Sequence, residues 1–127
     1  EAIFPVSSMK EYTRNYIKAG GKSSFADYYN ARYDSAIMKN SLKGNIVFSD
    51  HNLVTDSVFG EMHLVMCRNT LIYFNKALQD KVIKLFYDSL TPGGFLCLGS
   101  KESLTFSEHK ELFEPVNKKL KIFRKKY

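Results

Sequence analysis

Met66-Cys67-Arg68-Asn69-Thr70-Leu71-Ile72-Tyr73-Phe74 carries a buried strand directly into a loop of arginine, asparagine and tyrosine. An apolar strand that ends on clustered polar side chains marks the lip of a ligand crevice in an open α/β sheet. Upstream, His63-Leu64-Val65-Met66-Cys67 is apolar throughout after its histidine, the pattern of a strand covered on both faces in a parallel sheet. Downstream, Asn75 is placed to cap a helix in which Leu78, Val82, Phe86 and Leu90 recur every four residues and Ile83 widens the stripe. Pro92-Gly93-Gly94 is expected to stop that helix, with Phe95 to Leu98 returning as a buried strand. Strand, helix and strand in this order predict a right-handed parallel crossover, and with it an α/β fold.

Outside this unit the signals are shorter. Ile46-Val47-Phe48 reads as a brief apolar strand whose C-terminal end carries Ser49-Asp50-His51-Asn52. Near the start, Met9, Tyr12, Tyr16 and Ile17 are spaced like one helix face that Gly20-Gly21 would end. The tyrosine-rich part from Ser23 to Lys39 suits short antiparallel strands, although Ala36-Ile37-Met38 also fits a helix. Leu120 to Arg124 alternates and predicts a last strand, antiparallel to its neighbours.

A chain of 127 residues suffices for one domain and its core. Its hydrophobic and charged fractions, 44% and 25%, are those of a soluble globular protein. No apolar run approaches the length of a membrane span and Glu1 to Pro5 lack a signal-peptide layout, so no membrane insertion and a cytoplasmic setting are expected. Cys67 and Cys97 lie in apolar runs, which favours buried thiols over a disulfide or a metal site. His51, His63 and His109 are not at metal-ligand spacing, and no metal is expected. Much of the +6 net charge comes from Lys118, Lys119, Lys121, Arg124, Lys125 and Lys126. No nucleic-acid motif accompanies them, so nucleic acid is not expected as a partner and attraction to an acidic protein is the better use of the charge.

Three strand ends carry polar clusters: Asp50-His51-Asn52, Arg68-Asn69 and Ser100-Lys101-Glu102-Ser103. One crevice is expected to collect all three. Arg68 offers a planar set of donors suited to a carboxylate, and Tyr73 has a hydroxyl that can orient an acceptor. In the purely structural alternative Arg68 and Asn69 cap the next helix and Tyr73 packs on it. Spacing alone leaves the two readings level.

Taken together, His51-Asn52-Leu53, the Cys67 to Phe74 run and Leu90-Thr91-Pro92-Gly93-Gly94-Phe95-Leu96-Cys97-Leu98-Gly99-Ser100 resemble the C-terminal half of CheR-type chemoreceptor glutamate methyltransferases. The match is close over residues 45–104, and Ile122-Phe123-Arg124-Lys125 also fits the family's ending. The resemblance implies methyl transfer from S-adenosylmethionine to a receptor glutamate, leaving S-adenosylhomocysteine. It implies a partial Rossmann-like class I methyltransferase sheet, with a small antiparallel β-subdomain inserted at residues 16–45, which in some members binds a receptor peptide by strand addition. Carried over by position, Asn52, Leu53, Arg68 and Asn69 are cofactor-binding candidates, while Arg68 and Tyr73 are catalytic candidates that place the acceptor. A glutamate of reference pKa about 4.3 is already ionised at neutral pH, so the transfer asks for alignment and exclusion of water more than for a base. The loop lacks the Asn/Asp-Pro-Pro-Tyr pattern of enzymes that methylate nucleic-acid amines, which makes those poor substrates.

The resemblance stops short at the N-terminus. Family members begin with a small helical domain, a first strand with a glycine-containing cofactor loop, and a second strand ending in an acidic residue for the ribose. Ala2-Ile3-Phe4-Pro5 resembles the segment just after that residue, so the chain is expected to be a truncated catalytic domain over residues 1–127. Such a fragment should be inactive alone and bind the cofactor weakly or not at all. Its open sheet edges should either pair directly, the Ile46-Val47-Phe48 strand on the Leu64 to Cys67 strand, or pair edge to edge in a homodimer. The rival expectation is a non-catalytic interaction module, in which the tyrosine-rich part docks a partner and the methyltransferase residues are relics.

Overall fold

The computed structural model covers Glu1 to Tyr127 and divides into two units, Glu1–Ser49 and Asp50–Tyr127. In the first, strand β1 (Ile3–Pro5) leads into helix α1 (Met9–Lys18), followed by strands β2 (Tyr29–Arg32) and β3 (Ser35–Met38). The sheet order is β1-β3-β2 and both pairings are antiparallel. Ala36, which fitted helix or strand by sequence, lies fully buried in the central strand β3, and a side chain as small as alanine suits that position. Helix α1 runs as expected and ends before Gly20, whose φ of +92° only glycine adopts freely. Tyr16 packs against Phe25 and Tyr28 with ring centroids 5.5 and 5.7 Å apart, and the ring covers Gly21 so closely that a Cβ there would lie 2.3 Å from it.

Ile46-Val47-Phe48 is not a strand. The segment is irregular, Val47 and Phe48 are 92% and 78% exposed, and it pairs with none of the seven strands. Three residues in a row are too few to hold an extended conformation without a ladder partner.

The second unit is a mixed sheet with a helix on one face. Strand β4 (Met62–Cys67), helix α2 (Lys76–Ser89) and strand β5 (Leu90–Leu98) form the expected crossover, with β4 and β5 parallel. Strands β6 (Phe113–Asn117) and β7 (Ile122–Lys125) complete the order β4-β5-β7-β6, and both of their pairings are antiparallel. The core is where the helical stripe meets the sheet: Val82, Ile83 and Phe86 pack with Val65, Leu96 and Leu98. Burying each such side chain stabilises the unit by about 1.5–3 kcal/mol relative to leaving it exposed. Cys67 joins this core, and burial pushes its thiol up from the ordinary value of 9.0, which leaves it a poor nucleophile.

Three details depart from the sequence reading. Strand β4 is covered on one face only: Val65 and Cys67 are buried, while Leu64 and Met66 are 54% and 62% exposed, because α2 supplies a single layer. Helix α2 ends at Ser89, three residues ahead of Pro92, and Pro92-Gly93-Gly94 lies within β5. Lys125 makes this early stop affordable by donating to the carbonyls of Tyr87 and Leu90 at 2.8 and 2.7 Å. Third, β6 was not foreseen, since only Phe113 of its five residues is buried and its proline argues against a strand interior. No helix is long and apolar enough to cross a membrane.

Asp80 interrupts the apolar stripe of α2 and is only 9% exposed. It accepts from Lys76 Nζ at 2.8 Å and from the Glu108 backbone N–H at 3.2 Å, tying the helix to the loop before β6. The Lys76 ammonium first, and then the Ser107 hydroxyl, hold its carboxyl below the ordinary value of 3.8. A carboxyl lowered in the folded state contributes stability above its unfolded pKa and loses it as pH falls through the folded value. Denaturant unfolding between neutral pH and about pH 2 should therefore show a steeper acid loss for the natural protein than for Asp80→Asn. Parallel pH profiles would refute the assignment.

Candidate functional site

The lip at the C-terminal end of β4 is shaped by one carboxylate. Glu102, 4% exposed, accepts four backbone N–H groups: Gly99 at 2.7 Å and Asn69 at 2.9 Å on Oε1, Thr70 at 3.0 Å and Leu71 at 2.6 Å on Oε2. A carboxylate is the right group here, because it offers about four acceptor sites and no donor. Its bonds cross from the end of β5 to the end of β4 and fix the backbone of Asn69, which sits at φ +60°. Gly99 completes the join, since a Cβ there would stand 2.4 Å from Asn69 Oδ1 and 2.7 Å from Glu102 Oε1.

From that anchor the chain makes a short 3-10 turn over Leu71–Tyr73 and enters α2. Leu71 is 2% exposed and points inward, and Gln79 Nε2 donates to the carbonyls of Leu71 and Phe74 at 2.9 and 3.0 Å. Asn75 Oδ1 caps the helix as expected, accepting from the Leu78 N–H at 2.9 Å. Arg68 and Asn69 therefore take no part in the cap. Arg68 is exposed and its guanidinium has no hydrogen-bond or ion-pair partner, while Tyr73 is 80% exposed and makes no side-chain hydrogen bond.

Asn52 sits in a self-contained turn. Its Oδ1 accepts from Val54 and Thr55 N–H at 2.9 and 3.3 Å, and its own N–H donates to Asp56 Oδ2 at 2.7 Å. His51 Nδ1 lies 2.9 Å from the same Asp56 oxygen, and its ring meets Phe59 edge-on at 4.7 Å. Phe59 in turn packs on Phe86 of α2, which ties this loop to the core.

The three polar strand ends do not share one crevice. His51, Leu53 and Arg68 line an open groove of about 510 Å³ that follows β4, whereas Lys101, Glu102 and Ser103 line a second one with Leu71, Ile72 and Lys76. Asn52 lines a third hollow with Asp50, Leu53 and Phe74, and neither Asn69 nor Tyr73 lines the β4 groove. Glu102 was named by sequence only within a polar cluster, and Asp80 not at all. The available signals were an acid three residues after a strand-ending glycine, and an acid set in the apolar stripe of a helix.

Residues 3–122 match the family described as the CheR methyltransferase, SAM binding domain. The Pseudomonas putida protein Cher3 is 55% identical over 125 residues, which is 98% of this chain and 46% of that protein. The chemotaxis protein methyltransferase 1 of Vibrio cholerae is 41% identical over 69 residues, 54% of this chain and 25% of its own length. The same organism's chemotaxis protein methyltransferase 2 is 30% identical over 98 residues, 74% of this chain and 34% of its own. The chain thus spans less than half the length of these relatives.

Replacing Glu102 by glutamine keeps one acceptor oxygen and turns the other into an NH2 donor opposed to two backbone N–H groups. Loss of charge-assisted bonds worth about 1.5–3 kcal/mol each should destabilise the protein by at least about 2 kcal/mol in chemical denaturation. Gly99→Ala should act in the same direction, and an unchanged midpoint for both would refute the join.

Proposed function

As this chain belongs to the CheR methyltransferase family, we propose that its Arg68–Tyr73 lip faces the methyl acceptor in an S-adenosylmethionine-dependent protein-glutamate O-methyltransferase acting on chemoreceptors. The observation that carries the reading is the pairing of a locked backbone with two unengaged side chains. Glu102 holds Asn69, Thr70 and Leu71 in place, yet Arg68 and Tyr73 project from that backbone without partners of their own. A stabilising role within residues 1–127 would have engaged them.

The β4 groove suits one end of the cofactor. It combines the Arg68 guanidinium with an apolar wall of Leu53, Phe59 and Val65, which fits a carboxylate and an aliphatic thioether chain. No carboxylate lines it, so the paired acceptor that would hold the two hydroxyls of a ribose is missing there. Arg68 and Leu53 are accordingly assigned to the amino-acid end, Asn52 to keeping the Leu53 turn in shape, and adenosine to residues elsewhere in the Rossmann-like sheet of the whole protein. Asn69 stays a cofactor candidate by its family position alone. When bound, the cofactor supplies a methyl on a sulfonium. This chain's residues then draw the acceptor glutamate close, Arg68 by charge and Tyr73 by its hydroxyl, and orient an oxygen toward that methyl. No general base is required, because the acceptor is already a carboxylate.

Arg68→Ala in the whole protein should lower methyl transfer at least about tenfold, the factor that 1.4 kcal/mol of lost transition-state stabilisation gives. Unchanged turnover would remove Arg68 from the site. Calorimetric titration of S-adenosylhomocysteine should show binding to the whole protein and weak or no binding to residues 1–127. Binding to neither would instead favour the interaction module built on the self-contained Glu1–Ser49 unit.

A further inference from the structure

Of the basic residues near the end of the sequence, two are engaged within the fold and four gather at one groove. Arg124 Nε donates to the Gly93 carbonyl at 3.4 Å, and Lys125 is taken up by two carbonyls and the Tyr87 ring, 4.2 Å from its ammonium. Lys110, Lys118, Lys121 and Lys126 have no such use. They come from three separate segments, the loop before β6, the β6–β7 turn and the end of the sheet, and converge on one groove of about 480 Å³. None of the four is in an ion pair, and Glu111 is the single acid among the groove's residues. Gathering like charges in this way opposes folding, so it calls for an anionic counterpart.

The groove's floor narrows the choice of anion. Leu104 and Phe113 are each 3% exposed, and with half-buried Phe123 they make an apolar base under the lysines. A free phosphate has no use for such a base. A nucleic-acid strand would want several open aromatic faces to stack on, and the groove offers only half-buried Phe123, since Phe113 is 3% exposed. Strand β6 forms one wall, and it is an edge strand whose Pro115 has no N–H to offer an added strand. Recognition must then run through side chains.

We propose that this groove docks an acidic segment of a protein partner, with glutamate or aspartate carboxylates on Lys110, Lys118, Lys121 and Lys126 and an apolar side chain over Leu104 and Phe123. It is separate from the Arg68 groove and needs no cofactor. The effect of salt follows directly, since exposed ion pairs weaken once the screening length falls below about 10 Å.

The test is fluorescence anisotropy with a short fluorescein-labelled peptide of glutamate, leucine and serine, titrated with the 127-residue chain. Saturable binding should weaken when salt rises from about 0.05 M to about 0.3 M. Lys118→Glu with Lys126→Glu should lower affinity at least about tenfold, whereas Lys10→Glu with Lys22→Glu, the same charge change in the other unit, should lower it less than about twofold. Circular dichroism checks that both pairs fold, and Lys110→Gln, an exposed neutral change, gives a second reading if the first pair does not. Equal losses in the two pairs would reduce the effect to net charge and overturn the site. Absence of binding would overturn it too, as would tighter binding of a labelled single-stranded oligonucleotide of matched charge.

Discussion

A buried carboxylate surrounded by backbone N–H groups sets the geometry on which the candidate site of the larger unit depends. Glu102 joins the ends of two parallel strands that have no turn in common, and parallel strands otherwise diverge at their ends as each chain leaves for its own connection. Four N–H groups that would need water or other partners converge on one side chain instead. The Gly99 backbone, the αL conformation of Asn69 and the inward turn of Leu71 are all consequences of that convergence. Remove the carboxylate and each of them loses its reason.

Below the lip the architecture is a single-layer solution. One helix covers one face of a four-stranded mixed sheet, and the polar ties are placed where that layer would slip: Asp80 to the loop before β6, Lys125 to the end of α2, and Ser89 to the Phe59 N–H at 3.5 Å. Leu64 and Met66 stay on the uncovered face. The Glu1–Ser49 unit solves a smaller problem with rings in place of aliphatic layers, stacking Tyr16, Phe25 and Tyr28 around a glycine corner.

Legibility in the sequence followed the strength of local signals. The α2 stripe, its Asn75 cap and the β4-to-α2 lip could be read because spacing, capping and a motif agreed. Periodicity misjudged β4, since an apolar run reports what a strand tolerates on each face and not which neighbours are there. The helix stop was placed at Pro92, too late, because a proline-glycine signal is visible in sequence, whereas a lysine arriving from residue 125 is not. Ile46-Val47-Phe48 carried the right composition for a strand and lacked a partner, a property no local window contains. Glu102 was hidden for the same reason: three of its four bonds reach residues more than thirty positions away.

Those long reaches bear on how the lip moves. A surface loop ordinarily opens and closes alone, with a free-energy cost far below that of unfolding the domain. Here the amides of Asn69, Thr70 and Leu71 are bonded to a residue beyond β5, so opening the loop requires breaking three bonds to the buried Glu102 carboxylate. The loop backbone is tied to the core, while its two outward side chains are exposed and held by no hydrogen bond or ion pair of this chain. An anchored main chain and untethered arginine and tyrosine heads thus coexist within six residues, so the ordering cost of engaging a ligand would fall on the heads and not on the backbone.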